Sequence, residues 1–177
     1  MIETPRLFLR NWIDSDLVPF NAMCRDPDVM RYLGPLQSMG ETRAAIARLQ
    51  GYQADNGYTF WAIERRADGR FLGFCGLKPP PTDIPILTGT IEIGWRLASD
   101  AWGAGYAREA AQACLDWGWA NLAGNRIIAM TVNANTRSWG LMERLGMARQ
   151  HDMDFLHPAV PDGDPIKPHI VYAIDRT

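Results

Sequence analysis

The stretch that most constrains the fold runs from Gly94 to Ala110: an apolar run ends, glycines follow at 103 and 105, and an alanine-rich helical pattern begins at Tyr106. That order spells a strand, a glycine turn and a helix start. A helix N-terminus presents backbone N–H groups with no acceptor in the chain, together with the positive end of the helix dipole, so an anion such as phosphate is stabilised there. Glycine at 103 and 105 lets the backbone approach a ligand closely and take positive φ without a Cβ clash. Two familiar phosphate patterns do not apply. A P-loop ends in Gly-Lys-Ser/Thr, whereas Gly105 is followed by Tyr106 and Ala107; a dinucleotide fingerprint needs a third glycine where Arg108 stands. For the glycine pair taken alone, a turn that merely joins strand to helix remains the alternative.

The surrounding pattern is of α/β or α+β type: one mixed, mostly antiparallel sheet of about seven strands flanked by helices, in a single domain over residues 1–177. Arg6 to Trp12 alternates as a half-buried strand does. Asp14, Ser15 and Asp16 can cap a short helix, and Asp26-Pro27 starts a second, stopped by Gly34 and Pro35. Glu41 to Gln53 is helical. Tyr58 to Glu64 and Phe71 to Leu77 form a hairpin through Ala67-Asp68-Gly69, and prolines 79, 80, 81 and 85 mark a loop before a strand from Ile86 to Leu97. After the glycine turn, Ala107, Ala110, Ala111, Cys114, Leu115 and Gly118 make one small-residue helix face. Arg126 to Val132 is apolar enough for a strand covered on both faces, Asn135 caps a helix ended by Gly146, and strands from Met147 and over Ile170 to Ile174 close the sheet.

Charge and composition narrow the function. A net charge of −2 with no long basic run speaks against nucleic acid or an anionic membrane as partner. No signal-like opening and no apolar run of membrane length point to the cytoplasm. Cys24, Cys75 and Cys114 are odd in number and scattered, which suits reduced core thiols, and His151, His157 and His169 lack zinc-site spacing, so no metal is expected. A serine-hydrolase elbow, Gly-x-Ser-x-Gly, is absent from the sequence.

Glu92 to Leu97, Trp102 to Ala110, Asn135-Thr136-Arg137-Ser138 and Glu143-Arg144-Leu145-Gly146-Met147, in that order, resemble the GNAT superfamily of acyl-CoA N-acyltransferases. The opening Thr4 to Arg10 and the run Asp26 to Leu33 are similar to its ribosomal-protein N-terminal (alanine/serine) acetyltransferase branch. The resemblance implies acetyl-CoA as co-substrate, a primary amine as acceptor (a protein N-terminus or a small molecule), and direct aminolysis of the thioester in a ternary complex. It further implies that the strand before the turn splays from Arg126–Val132 and that the pantetheine arm pairs with backbone near Arg96, Leu97 and Ala98. The pyrophosphate then rests on the amides of Gly103, Ala104, Gly105, Tyr106 and Ala107, with Arg108 adding charge or simply solvated. The family's arginine or glutamine three residues before the first glycine is Asp100 here.

For the chemistry, Glu92 is the candidate base, acting through water; the competing reading is a glutamate facing solvent or pairing Arg126. A backbone N–H near Leu97 is the natural oxyanion donor. The tyrosine that often serves as acid falls on Met142, which leaves Ser138 as the candidate partner for the sulfur, or as a first-turn helix serine. Asn135 reads both as helix cap and as a pantetheine contact. Met30 to Leu36 and the loops Pro79–Pro85 and His157–Pro168 border the implied acceptor groove, with Trp61, Trp95, Tyr32, His157 and His169 as its candidate lining. An acyl-CoA-binding regulatory module with little or no turnover stays open, as does a homodimer.

Overall fold

The computed structural model describes residues 1–176. Eight strands form one sheet in the order β1-β2-β3-β4-β5-β6-β8-β7: β1 (Ile2–Glu3), β2 (Leu7–Arg10), β3 (Phe60–Arg65), β4 (Phe71–Lys78), β5 (Ile91–Leu97), β6 (Arg126–Val132), β7 (Ala148–Leu156) and β8 (Pro168–Asp175). All neighbours are antiparallel except β5 and β6. The eighth strand beyond the sequence expectation is the two-residue β1 at the edge, too short to leave a periodic signal. Strand β5 begins at Ile91 rather than Ile86, because Pro85–Leu87 coils into a single 3-10 turn and Gly89 then takes φ 82°.

Helices cover both faces. On one lie α1 (Leu17–Cys24), α2 (Pro27–Met30) and α3 (Met39–Asn56); on the other lie α4 (Tyr106–Asn121) and α5 (Thr136–Arg144). Helix α3 starts earlier than its apolar pattern, since Ser38 and Glu41 form a reciprocal capping box, and it stops at Gly57 in the left-handed conformation. Helix α4 rests its small-residue stripe on the sheet: Ala110, Ala111 and Cys114 are fully buried, and a Cβ on Gly118 would come within 2.7 Å of Leu77 and 3.3 Å of Ile127. Strand β6 is apolar from Ile127 to Met130 because both its faces are covered. Ile127 and Ala129 join the core under α4 and α5, while Ile128 packs with Ile84, Leu87 and Val171 on the opposite face. The three cysteines are buried and unpaired. Among the described residues no helix is long and apolar enough to cross a membrane.

The feature that positions the site is a seam. Strands β5 and β6 run parallel and register only at Ile91 with Ile127 and Glu92 with Ile128, after which β6 follows β8 through all seven of its residues. Beyond Glu92 the β6-facing edge of β5 has no strand partner.

Candidate functional site

The seam opens toward the glycine turn. Ala98 donates to the Leu72 carbonyl at 2.9 Å, and antiparallel alternation then aims the backbone groups of Arg96, Gly94 and Glu92 at β4, leaving those of Ile93, Trp95 and Leu97 on the seam side. The Leu97 carbonyl fits this pattern, because it accepts from the Trp102 indole N–H at 2.9 Å instead of from β4. Of the three residues expected to pair with a pantetheine arm, Leu97 alone keeps a free N–H on the seam. Arg96 is turned to β4, and Ala98 has both backbone groups engaged, its carbonyl with Ala101 N–H. Trp95, which the sequence reading assigned to the acceptor groove, has its backbone groups on the seam side through the same alternation.

At the head of the seam, Gly103 and Gly105 have φ of 77° and 81°. No side chain caps α4, and its first N–H to find a backbone acceptor is that of Glu109, on the Gly105 carbonyl. The amides of Gly105, Tyr106, Ala107 and Arg108 therefore stand open at the positive end of the helix dipole. Two acidic groups nearby are neutralised. Glu109 accepts from Thr4 Oγ1 at 2.6 Å, from the Arg6 N–H at 2.9 Å and from Arg6 Nε at 2.6 Å, contacts that hold its carboxyl below the ordinary range against a burial effect that opposes them. Asp100 pairs with Arg70. Arg6 also donates to the Ala104 carbonyl at 2.9 Å and lies over the Tyr106 ring. Sequence inspection could not find Arg6 or Arg70, since each arrives from a turn between strands, β1–β2 for Arg6 and β3–β4 for Arg70, that is distant in the chain. Arg108 is exposed.

Across the seam, α5 follows β6 directly. Asn135 does not cap it with its side chain; Nδ2 donates to Thr131 Oγ1 at 3.0 Å, a bond back into β6. Ser138 sits half-buried in the first turn. Arg137 lies over the Trp102 ring at 5.1 Å, joining the two sides at the mouth. Met142 is 1% exposed, a core side chain.

Glu92, Gly94 and Arg96 share the α1–α3 face of β5. The Glu92 carboxylate neither faces open solvent nor pairs with Arg126, which is bound to Asp175; its partner is Lys78, directly opposite on β4. Burial pushes the Glu92 carboxyl above its ordinary 4.5, with the Lys78 ammonium pulling the other way. Of the expected acceptor-lining aromatics, Trp61 and Trp95 are on the α4 face. Trp61 is 2% exposed, edge-on to Trp117 and bonded to Gln53 Oε1. A tryptophan in an alternating strand gives no sign of which face it takes until the register is known. His157 and His169 do come together, with ring centres 5.0 Å apart, and His169 stacks on Phe155 beside a cavity of about 330 Å³ that reaches Asn133. Among the described residues no group of three or more His, Cys, Asp or Glu could hold a metal ion.

Comparison with known proteins bears on the family and the fold. A sequence model of the acetyltransferase (GNAT) domain covers residues 6–148. The chain is 34% identical over 147 residues to Bacillus subtilis (strain 168) YkkB, covering 82% of this chain and 84% of that protein. An acetyltransferase (GNAT family) from Bacillus anthracis superposes with a TM-score of 0.80 at 27% identity, over 98% of this chain and 97% of that one. The ribosomal L7/L12 alpha-N-protein acetyltransferase RimL, solved in complex with coenzyme A, shares the fold with a TM-score of 0.76 at 16% identity, over 97% and 95% of the two chains.

Proposed function

Since the chain belongs to the acetyltransferase (GNAT) family and is on that ground an acetyl-CoA-dependent N-acetyltransferase, we propose that its seam holds acetyl-CoA and that a primary amine is acetylated beside Glu92. One observation carries the reading: β5 and β6 part after two registered residue pairs, and unsatisfied helix amides stand at the head of the opening. Polar groups that the chain leaves unused in pairs and rows are the kind an extended, phosphate-bearing ligand satisfies.

In this reading Trp95 and Leu97 bind the arm through their backbone, and Gly103, Ala104, Gly105, Tyr106 and Ala107 hold the pyrophosphate. Arg108 supplies positive field at the same end, while Arg6 and Arg70 cancel the charges of Glu109 and Asp100. Asn135 and Ser138 approach from the β6 side. Acetyl-CoA supplies an activated acyl group whose carbonyl gains negative charge during attack, and the Leu97 N–H is placed to stabilise that charge. Glu92 receives the amine proton, directly or through a water, and Lys78 keeps the carboxylate oriented. The Ser138 hydroxyl donates to the departing sulfur. A protein N-terminal α-amine, with an ordinary pKa of about 8, asks less of Glu92 than a lysine-like amine near about 10.4.

Calorimetry with acetyl-CoA, followed by thiol release across a panel of peptides beginning with Ala or Ser, polyamines and amino acids, tests the proposal. Binding plus amine-dependent release is expected. Binding without release to any amine makes the chain an acyl-CoA-binding module, and no heat at all removes the seam from consideration.

The pH profile tests Glu92 separately. With a raised pKa, the reactive carboxylate is lost as pH falls through a value above 4.5, so the acid limb of kcat/KM lies above the usual carboxylate range and disappears in Glu92→Gln. The stability effect of this group has the opposite sign. The folded state holds the proton more tightly, so the contribution is present below 4.5 and lost as pH rises through the folded value. Glu92→Gln and Ser138→Ala are expected to bind acetyl-CoA like the wild type and to lose about 10²-fold in kcat, the low end of general acid–base contributions, and about 10-fold, the worth of one hydrogen bond to the sulfur; turnover at wild-type rate removes those roles.

A further inference from the structure

One cation on the acceptor face has no counter-charge. Among the described residues Arg96 Nη1 meets only sulfur, Cys24 Sγ at 3.5 Å and Met30 Sδ at 3.7 Å, and its Nε is enclosed without a hydrogen-bond partner. Thiols and thioethers are weak acceptors, and a guanidinium carries five N–H donors. Cys24 offers no charge either, since burial pushes its thiol up and keeps it neutral. The Phe74 ring lies under the guanidinium at 5.4 Å, one further favourable contact but not a neutralising one. Arg10, likewise half-buried, receives two carboxylates, Asp16 and Glu64. Leaving a buried charge uncompensated is costly, and proteins normally avoid it by pairing or replacement.

The position of Arg96 gives the missing partner a role. It shares the β5 face with Glu92, four residues or roughly 13 Å along the strand, and Gly94 stands between them with no side chain. The Phe60 ring fills part of that interval, 2.7 Å from where a Gly94 Cβ would sit, and stacks on Phe74 at 5.4 Å. The face thus offers a proton acceptor at one end, an aromatic floor, and an unsatisfied planar fork of donors at the other. Resting on the acetyltransferase reading of the same face, we infer that Arg96 binds a carboxylate of the acceptor and that the substrates are small amines carrying a carboxyl group. The fork geometry favours the planar, bidentate carboxylate over a point anion.

The test pairs each amine with its neutral analogue. Glycine, β-alanine, γ-aminobutyrate and phenylalanine are compared with their carboxamides, and O-phosphoethanolamine is included as a phosphate-bearing amine. Wild-type enzyme is expected to prefer the acids by about 10- to 100-fold in kcat/KM, the worth of one charge-assisted contact. In Arg96→Met that ratio falls to near one through KM, and Arg96→Lys retains part of it. Methionine fits the apolar surroundings and removes a buried charge, so Arg96→Met is expected to melt no lower than wild type; a structural role for Arg96 alone lowers the melting point and slows acids and amides alike. The inference is overturned if wild type treats acids and amides equally, if the preference survives in Arg96→Met, or if O-phosphoethanolamine alone is favoured. If no amine releases thiol from acetyl-CoA, the acetyl-transfer reading fails instead. Thermal shift by the same acids against their amides then still decides on Arg96: a shift confined to the acids and lost in Arg96→Met supports it, and equal shifts sink it.

Discussion

Gly105→Val is expected to weaken coenzyme A binding by at least about a hundredfold. Gly105 precedes α4 at φ 81°, a conformation in which a β-branched residue is strained. Relief of that strain rotates the peptide and turns away the amides that follow it. Losing two charge-assisted N–H contacts at about 1.5–3 kcal/mol each accounts for the loss. A Cβ at this position also comes within 3.4 Å of Arg6 Nη2, disturbing the cation nearest the turn. Gly57→Val is the control. Gly57 has φ 79° at the end of α3 in open space, so its valine suffers the same backbone strain far from the seam. If Gly105→Val loses only the stability that Gly57→Val loses and binds coenzyme A as well as wild type, the turn does not seat the pyrophosphate.

Gly76→Ala is expected to destabilise the fold strongly through a single added methyl. A Cβ there lands 2.1 Å from the Thr59 carbonyl oxygen, which accepts from the Leu77 N–H, and 2.7 Å from Phe60 Cα at the start of β3, both backbone atoms. Neither can swing aside as a side-chain end can, so the cost lies at the top of the overpacking range, about 3 kcal/mol. For a chain of this size that corresponds to a melting temperature lower by about 6–12 °C. Gly51→Ala, inside α3 with nothing within 4 Å, is expected to stabilise by about 0.5–1 kcal/mol through helix propensity. Thermal denaturation of the two variants checks both signs, and a Gly76→Ala melting point within about 2 °C of wild type contradicts the packing described around β4.

What could be read from the sequence was local. The glycine turn, the small-residue face of α4 and the doubly covered β6 each announce themselves within a dozen residues, because backbone chemistry and helical or strand period act over that range. The site's charges were not local. Lys78 stands opposite Glu92 only once the β4–β5 register is set, Arg6 reaches Glu109 across 103 residues, and the solitary state of Arg96 depends on two sulfurs from α1 and α2. The same limit misplaced Trp61 and Trp95, whose face is a matter of register, and gave Ala98 a role that its bond to Leu72 occupies. Asn135 fitted a capping pattern but had a better partner in Thr131.

The seam has a mechanical corollary. With only two rungs joining β5 to β6, the sheet is two leaves, one of β1 to β5 and one of β6 to β8, and α4 is the rivet between them, its notch at Gly118 straddling Leu77 of one leaf and Ile127 of the other. A molecule threaded along the parting would act as the absent row of stitches, tying one leaf to the other along the length where the chain itself supplies no rungs.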